Sequence, residues 1–205
     1  MAGSTSGGDL LVGPDAQSTW FIAGGNSGSI GGFTFTGVES LIGGAQNDAF
    51  RFQPGGSLQG SIDGGGGSNA LDYSIDGGVA VTVNLQTHAA SRLHGGTSGG
   101  FTHMQGMVGS TAAGDRLIGL DGGELWQITG NNGGMVGPLA FSRFENLQGG
   151  TGSDTFKFSP TGTVSGSIAG GGGIDWLDYS LFITPVNVNL ATGSATHVAG
   201  AQWEG

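Results

Sequence analysis

Carboxylates in two matching segments are the first residues of this sequence whose type could support catalysis. The tetrapeptide Leu-Asp-Tyr-Ser occurs twice and contains Asp72 and Asp178. A glycosidase needs two carboxylates that are held at a set separation on either side of the scissile bond. Because the two aspartates occupy equivalent positions of a repeated sequence, a structural role is the favoured interpretation of both.

Other signatures of catalysis are weak. Residues 96–100 fit the G-x-S-x-G pattern of a nucleophile elbow, but 47 glycines make chance matches common and no helix is predicted after this one. Lyases that act on acidic sugars need clustered basic side chains, and the five here are scattered along the chain: Arg51, Arg92, Arg116, Arg143 and Lys157. The histidines lack the spacing of a zinc motif and are predicted to be surface or loop residues: His88, His94, His103 and His197. The sequence therefore predicts that the chain is not an enzyme.

Glycine and aspartate recur together in front of short apolar segments. Two segments, GGTGSDTFK from Gly149 and GGGGIDWLD from Gly170, fit the pattern G-G-x-G-x-D-x-U-x, in which U is a large apolar residue. Weaker copies begin at Gly43 and Gly64, with the same spacing between them. Glycine permits positive φ, and Asp or Asn bonds its own backbone in turns, so these segments are predicted to be corners of the chain.

A longer repeat contains these corners. Shifting the chain by 106 positions aligns Trp20 with Trp126, Glu39 with Glu145, and Asp48 with Asp154. The sequence thus divides into the tail of a preceding unit (1–8), a first repeat (9–114) and an incomplete second repeat (115–205), which indicates a piece of a longer tandem array. The two tryptophans are predicted to lie in the core rather than to serve as sugar platforms.

Between the corners, apolar residues alternate with a period of two, as in Val79, Val81, Val83 and Leu85. This alternation is typical of strands with one buried face. Together with the regular spacing of the corners, it predicts an all-β fold. The predicted architecture is one continuous single-stranded parallel β-solenoid (β-helix) over residues 1–205, with about ten turns of about 21 residues each.

Composition limits the partners. A net charge of −10 would repel nucleic acid and anionic lipid, so neither nucleic-acid binding nor membrane insertion is predicted. The chain contains no cysteine, so its compartment cannot be inferred from thiols. Neither a signal peptide nor an apolar run long enough to span a membrane is visible, which predicts a soluble segment or an export signal elsewhere.

The glycine-aspartate corners resemble the calcium-binding nonapeptide of the RTX (hemolysin-type) repeat family. The resemblance implies calcium as a cofactor and assigns the ligand role to Asp154 and Asp175, and to Asp48 in a copy whose fourth position is Gln46. Asn69 replaces the aspartate in the copy at Gly64. Family repeats follow one another directly, whereas other sequence separates these copies, so a purely structural corner is the alternative interpretation.

The longer phrases resemble the repeat units of very large bacterial surface proteins of the hemagglutinin-like and adhesin type. They include FENLQGGTGSDTF, GSIAGGGGIDWLDYS and TPVNVNLATGSAT. The resemblance implies an extracellular or cell-surface protein with a structural or adhesive function. Two partners are expected. Other copies of the chain would associate through the open ends of the solenoid, and surface glycans would bind to it. The alternatives are a carbohydrate-binding or carbohydrate-cleaving protein and, third, a protein that binds ice or crystal surfaces.

Overall fold

The computed structural model describes residues 1–94, 100–199 and 203–204, and every regular element in these ranges is a β-strand. The described chain forms two compact units. The first unit contains Met1–Val81 and Thr87–Thr111, and the second contains Thr82–Gln86 and Ala112–Gly205. Residues 82–86 of the first sequence repeat therefore belong to the second unit.

The strands of the first unit form two groups. A parallel group has the order β1 (Leu10–Val12), β5 (Ser40–Gly44), β7 (Ile62–Gly65) and β11 (Phe101–Thr102). The second group has the order β12 (Gly106–Val108), β8 (Ala70–Asp72), β6 (Asp48–Phe52), β2 (Ser18–Gly24), β3 (Ser27–Ile30) and β4 (Phe33–Thr36). In that group β2, β3 and β4 form an antiparallel meander, and the other pairs are parallel. The short strand β10 covers Ala89–Ala90.

The second unit has the same kinds of group. Its parallel group has the order β9 (Thr82–Asn84), β13 (Arg116–Ile118), β17 (Asn146–Gln148), β19 (Ile168–Ala169) and β23 (Trp203–Glu204). The mixed group has the order β20 (Trp176–Asp178), β18 (Thr155–Phe158), β14 (Leu125–Gly130), β15 (Gly133–Val136) and β16 (Leu139–Ser142). A separate antiparallel pair contains β21 (Val188–Asn189) and β22 (Ser194–Ala195).

The predicted all-β class agrees with the structure, but the predicted single-stranded parallel β-solenoid, or β-helix, is wrong. The strands belong to several sheets, and the mixed groups contain antiparallel hairpins. The sequence separation between ladder partners also varies. It is shorter between β5 and β7, where Leu41 pairs with Ile62, than between β1 and β5, where Leu10 pairs with Ser40. Turns of equal length therefore do not describe the chain.

A tight turn explains why β3 and β4 are antiparallel. Gly31 and Gly32 both have positive φ values, 54° and 81°, between β3 and β4. A two-residue turn with positive φ at both positions matches the twist of a hairpin and reverses the chain directly. Alternating apolar residues in the flanking segments suit an antiparallel pair as well as a parallel one. The prediction overlooked this turn and treated the whole stretch as part of a parallel coil.

Paired aromatic rings form the core of each unit. Trp20 stacks on Phe50 with ring centroids 5.5 Å apart, and Trp126 stacks on Phe156 at 5.4 Å. Both tryptophans are fully buried, which confirms that they are core residues. Each stack joins a strand that follows a glycine-aspartate corner, β6 or β18, to its parallel neighbour, β2 or β14.

Candidate functional site

Asp154 is the centre of the corner that precedes β18. Its Oδ2 accepts a hydrogen bond from the backbone N–H of Gly150 at 3.1 Å, and its Oδ1 accepts one from Glu124 at 2.9 Å. The side chain is fully buried. A Cβ on Gly149 would collide with the carbonyl oxygen of Gly170 and with this carboxylate, so the corner requires glycine there. The carboxylate thus joins its own turn to a segment 30 residues earlier in the chain.

Neighbouring corners are linked by hydrogen bonds from a backbone N–H of one corner to a side-chain oxygen of the next. The backbone N–H of Asp154 donates to Oδ1 of Asp175 at 2.9 Å. In the first unit the N–H of Asp48 donates to Oδ1 of Asn69 at 2.8 Å, and the N–H of Asn69 donates to Oε1 of Gln105 at 2.7 Å. We call these two series, Asp154 with Asp175 and Asp48 with Asn69 and Gln105, the corner ladder. In each step a later side chain accepts the backbone N–H of an earlier corner residue.

Burial controls the electrostatics of the corner ladder. Loss of water raises the pKa of Asp154, with a contribution from the nearby charge of Asp175, while the N–H groups of Glu124 and Gly150 act in the opposite direction. Burial also raises the pKa of Asp48 and of Glu124. Because an ionised carboxylate that leaves water needs hydrogen-bond donors, the N–H groups of Glu124 and Gly150 offset part of the cost of burying Asp154.

The predicted calcium ligands Asp48, Asp154 and Asp175 all lie in the corners. The structure brings Asp154 and Asp175 together, but the contacts of their oxygens are with backbone N–H groups. Within residues 1–94 and 100–199 no group of three or more acidic or histidine side chains could hold a metal ion. Calcium takes six to eight oxygen ligands. The carboxylate oxygens described here accept backbone N–H groups, and calcium binding stays a prediction.

The candidate acid and base residues Asp72 and Asp178 are each joined to a basic side chain on the neighbouring strand. Arg51 donates through Nε to Oδ2 of Asp72 at 2.8 Å, and Nζ of Lys157 lies 3.3 Å from Oδ2 of Asp178. The hydrogen bonds from Ser180, together with Lys157, lower the pKa of Asp178. The two repeats thus use the same pair of positions for the same ion pair.

A second capping contact was missed by the sequence-based reasoning. Glu39 accepts the backbone N–H of Asp9 at 2.8 Å and the side-chain amide of Asn26 at 2.7 Å. In the second repeat Glu145 accepts the N–H of Asp115 and the amide of Asn132, each at 3.0 Å. Asn26 and Asn132 both have φ of 52°. The shift of 106 positions aligns these residues in the sequence, so the repeat itself was the signal.

The remaining candidates are turn residues or lie outside the described ranges. His88, His103 and His197 have positive φ, as loop residues often do. Nδ1 of His103 lies 2.6 Å from Oδ1 of Asp63, and Nδ1 of His197 lies 2.6 Å from the carbonyl oxygen of Gly162. His94 is exposed. Residues 96–99 of the G-x-S-x-G match are outside the described residues.

Comparisons of the chain with protein-family models, with curated proteins and with solved structures find no match. In the part of the chain that the structure describes, no helix is long and apolar enough to cross a membrane.

Proposed function

We propose that this chain is a structural and adhesive segment of a long repetitive extracellular or cell-surface protein of bacteria, and that it performs no catalysis. One observation carries the proposal: polar residues at equivalent positions of the two repeats cap the same backbone groups. Glu39 and Glu145 show this most directly, since each accepts one backbone N–H and one asparagine amide. Side chains used in this way maintain the fold.

The repetition itself supports a structural role. A catalytic site is normally built once, from groups that do not recur along the chain, whereas a load-bearing or spacing segment gains length by copying one unit. The ion pairs at Asp72 and Asp178 follow the second pattern. The resemblance to bacterial surface repeats is the reason for the proposed location.

A paired assay tests the proposal. Beads coated with the purified chain should be retained under flow on glycan-coated surfaces more than beads coated with albumin. The same protein, incubated with a panel of polysaccharides, should release no reducing sugar. Release that is lost in the D72N or D178N variant would establish the carbohydrate-cleaving alternative instead. Retention no greater than that of albumin beads would remove the adhesive part of the proposal.

A further inference from the structure

Three apolar residues in the second repeat are exposed although their equivalents in the first repeat are buried. Val186, Val188 and Leu190 are 37%, 45% and 78% exposed. The aligned residues of the first repeat are 2%, 0% and 7% exposed: Val81, Val83 and Leu85. The residue types are identical, so the difference must come from what covers them.

Strand β13 is the element that covers this segment in the first repeat. It pairs with β9 in parallel, with Leu117 opposite Val83. The backbone N–H of Leu85 donates to the carbonyl oxygen of Ile118 at 2.9 Å. Strands β9 and β13 both belong to the second compact unit. The apolar segment is therefore buried by a strand that follows it in the sequence.

Strand β1 has the same sequence character as β13. Residues 9–12 read Asp-Leu-Leu-Val, and residues 115–118, at a shift of 106 positions, read Asp-Arg-Leu-Ile. Each strand pairs on one side with the equivalent later strand of its own repeat, β1 with β5 and β13 with β17. On its other side β13 pairs with β9, whereas β1 is the last strand of its group among the described residues. Leu10 and Val12 are exposed.

We propose that β1 of a second copy of this chain docks in parallel along residues 187–189, with its Leu11 opposite Val188. This contact repeats between copies the pairing that β13 makes with β9 within one copy. A shallow groove already borders the docking segment and is lined in part by Leu177, Val188, Leu190 and Ala195. The inference deepens the proposed structural function, on which it rests, by naming the partner and the register.

The contact is heterologous, because the two surfaces that meet are different. After one contact forms, one copy still offers its β1 and the other still offers its 187–189 segment, so copies can add in a row. Heterologous contacts that do not close into a ring form open filaments. Exposed strand edges promote this kind of addition, since unpaired backbone groups and apolar side chains are buried together.

Complementary variants test the proposal by sedimentation velocity. The wild-type chain should form larger species as its concentration rises, whereas L11D and V188D should each remain monomeric. An equimolar mixture of the two should stop at a dimer, because each variant retains one intact surface. L125D, which places the same charge at an exposed position on β14, should assemble like the wild type. A folded wild-type chain that stays monomeric, or an L11D or V188D variant that assembles like the wild type, would overturn the proposal.

Disulfide trapping gives a test that does not depend on the charged variants folding. The chain has no cysteine, so L11C/V188C would carry the only two thiols. Directly paired strand positions have Cα separations within the range of a disulfide. Mild oxidation should give a ladder of linked copies. V12C/V188C is the matched control and should give no disulfide-linked copies, because successive side chains point to opposite faces.

The outcomes separate the two proposals. Absence of disulfide-linked copies, with bead retention intact and no sugar release, would remove the docking contact between copies and leave the structural function. Sugar release together with disulfide-linked copies would remove the structural function and leave the docking contact.

Discussion

Asp154 shows how a single residue holds two parts of the chain together. Its carboxylate is buried and accepts backbone N–H groups from its own turn and from Glu124. Buried donors that lose their acceptor keep their full desolvation cost. The acidic side chain thus acts as a hydrogen-bond acceptor for the backbone. Burying its charge costs desolvation free energy, which the N–H donors offset.

Replacing Asp154 with alanine tests this role. We expect D154A to lose about 2 to 4 kcal/mol of unfolding free energy, because two partly buried N–H groups would lack an acceptor. Urea denaturation of the purified chain measures the loss. The matched control is D121A, at an exposed position in the same unit, with an expected change within about 0.5 kcal/mol. Equal effects of the two substitutions would contradict the role assigned to the corner carboxylate.

Calcium provides a second test at the residue scale. Because the oxygens of Asp154 and Asp175 contact backbone N–H groups, we expect the same melting temperature in excess calcium and in chelator. A ligand that binds only the folded chain must raise the melting temperature. Magnesium at equal concentration controls for ionic strength. A rise specific to calcium and absent in D154A would support the ligand role that the RTX resemblance implies.

The antiparallel meanders are the elements that separate this fold from equal parallel turns. In the second unit β15 lies between β14 and β16, with Gly134 opposite Ile128 and Phe141. A Cβ at Gly134 would collide with the carbonyl oxygen of Gln127, and one at Gly28 in the first unit would collide with that of Phe21. The middle strand of each meander thus depends on a glycine for close packing rather than for positive φ.

Substitution at Gly134 tests this dependence. G134A should destabilise the chain by about 1 to 3 kcal/mol, because the backbone of β14 would have to move to accommodate the methyl group. Gly122 has open space where a Cβ would lie and serves as the control. There the same substitution should change stability by less than about 1 kcal/mol, in the stabilising direction, since alanine restricts the unfolded chain. Thermal melts of the two variants measure the contrast, and equal melting temperatures would disprove the close packing.

At the scale of the whole molecule, charge opposes the contact between copies. Each chain carries a net charge of −10, so copies repel one another in solution. The proposed docking surfaces are apolar, with Leu11 and Val188 at their centre. Association is therefore a balance between burial of apolar side chains at the contact and repulsion between the remaining acidic surfaces.

Salt should shift that balance. Raising NaCl from about 10 mM to about 500 mM shortens the screening length from about 30 Å to less than about 10 Å and should increase the weight-average sedimentation coefficient of the wild-type chain. L11D should show no such increase, because its docking surface is lost. A wild-type coefficient that falls with salt would indicate that ion pairs, rather than apolar burial, hold the copies together.

The sequence by itself determined the strand character, the duplication and the burial of the two repeated tryptophans. Trp20 and Trp126 are buried as the period-two pattern predicts, because that pattern depends on neighbouring residues only. The corner at Asp48 was also recognisable, since glycine and aspartate favour tight turns locally. The N–H of Asp48 donates to the side chain of Asn69, which is distant in the sequence. Asn69 has its own corner signature, but no local rule predicts that the two corners are neighbours.

Only the tertiary structure decided which strands pair and in which direction. Gly31 and Gly32 reverse the chain between β3 and β4, while β5 pairs in parallel with strands on either side of it. The same alternation of apolar residues satisfies both arrangements, so the choice depends on turn geometry and on burial against distant segments. Val83 is buried and Val188 is exposed, although their local sequences match. The difference follows from the presence or absence of a covering strand and not from the residues themselves.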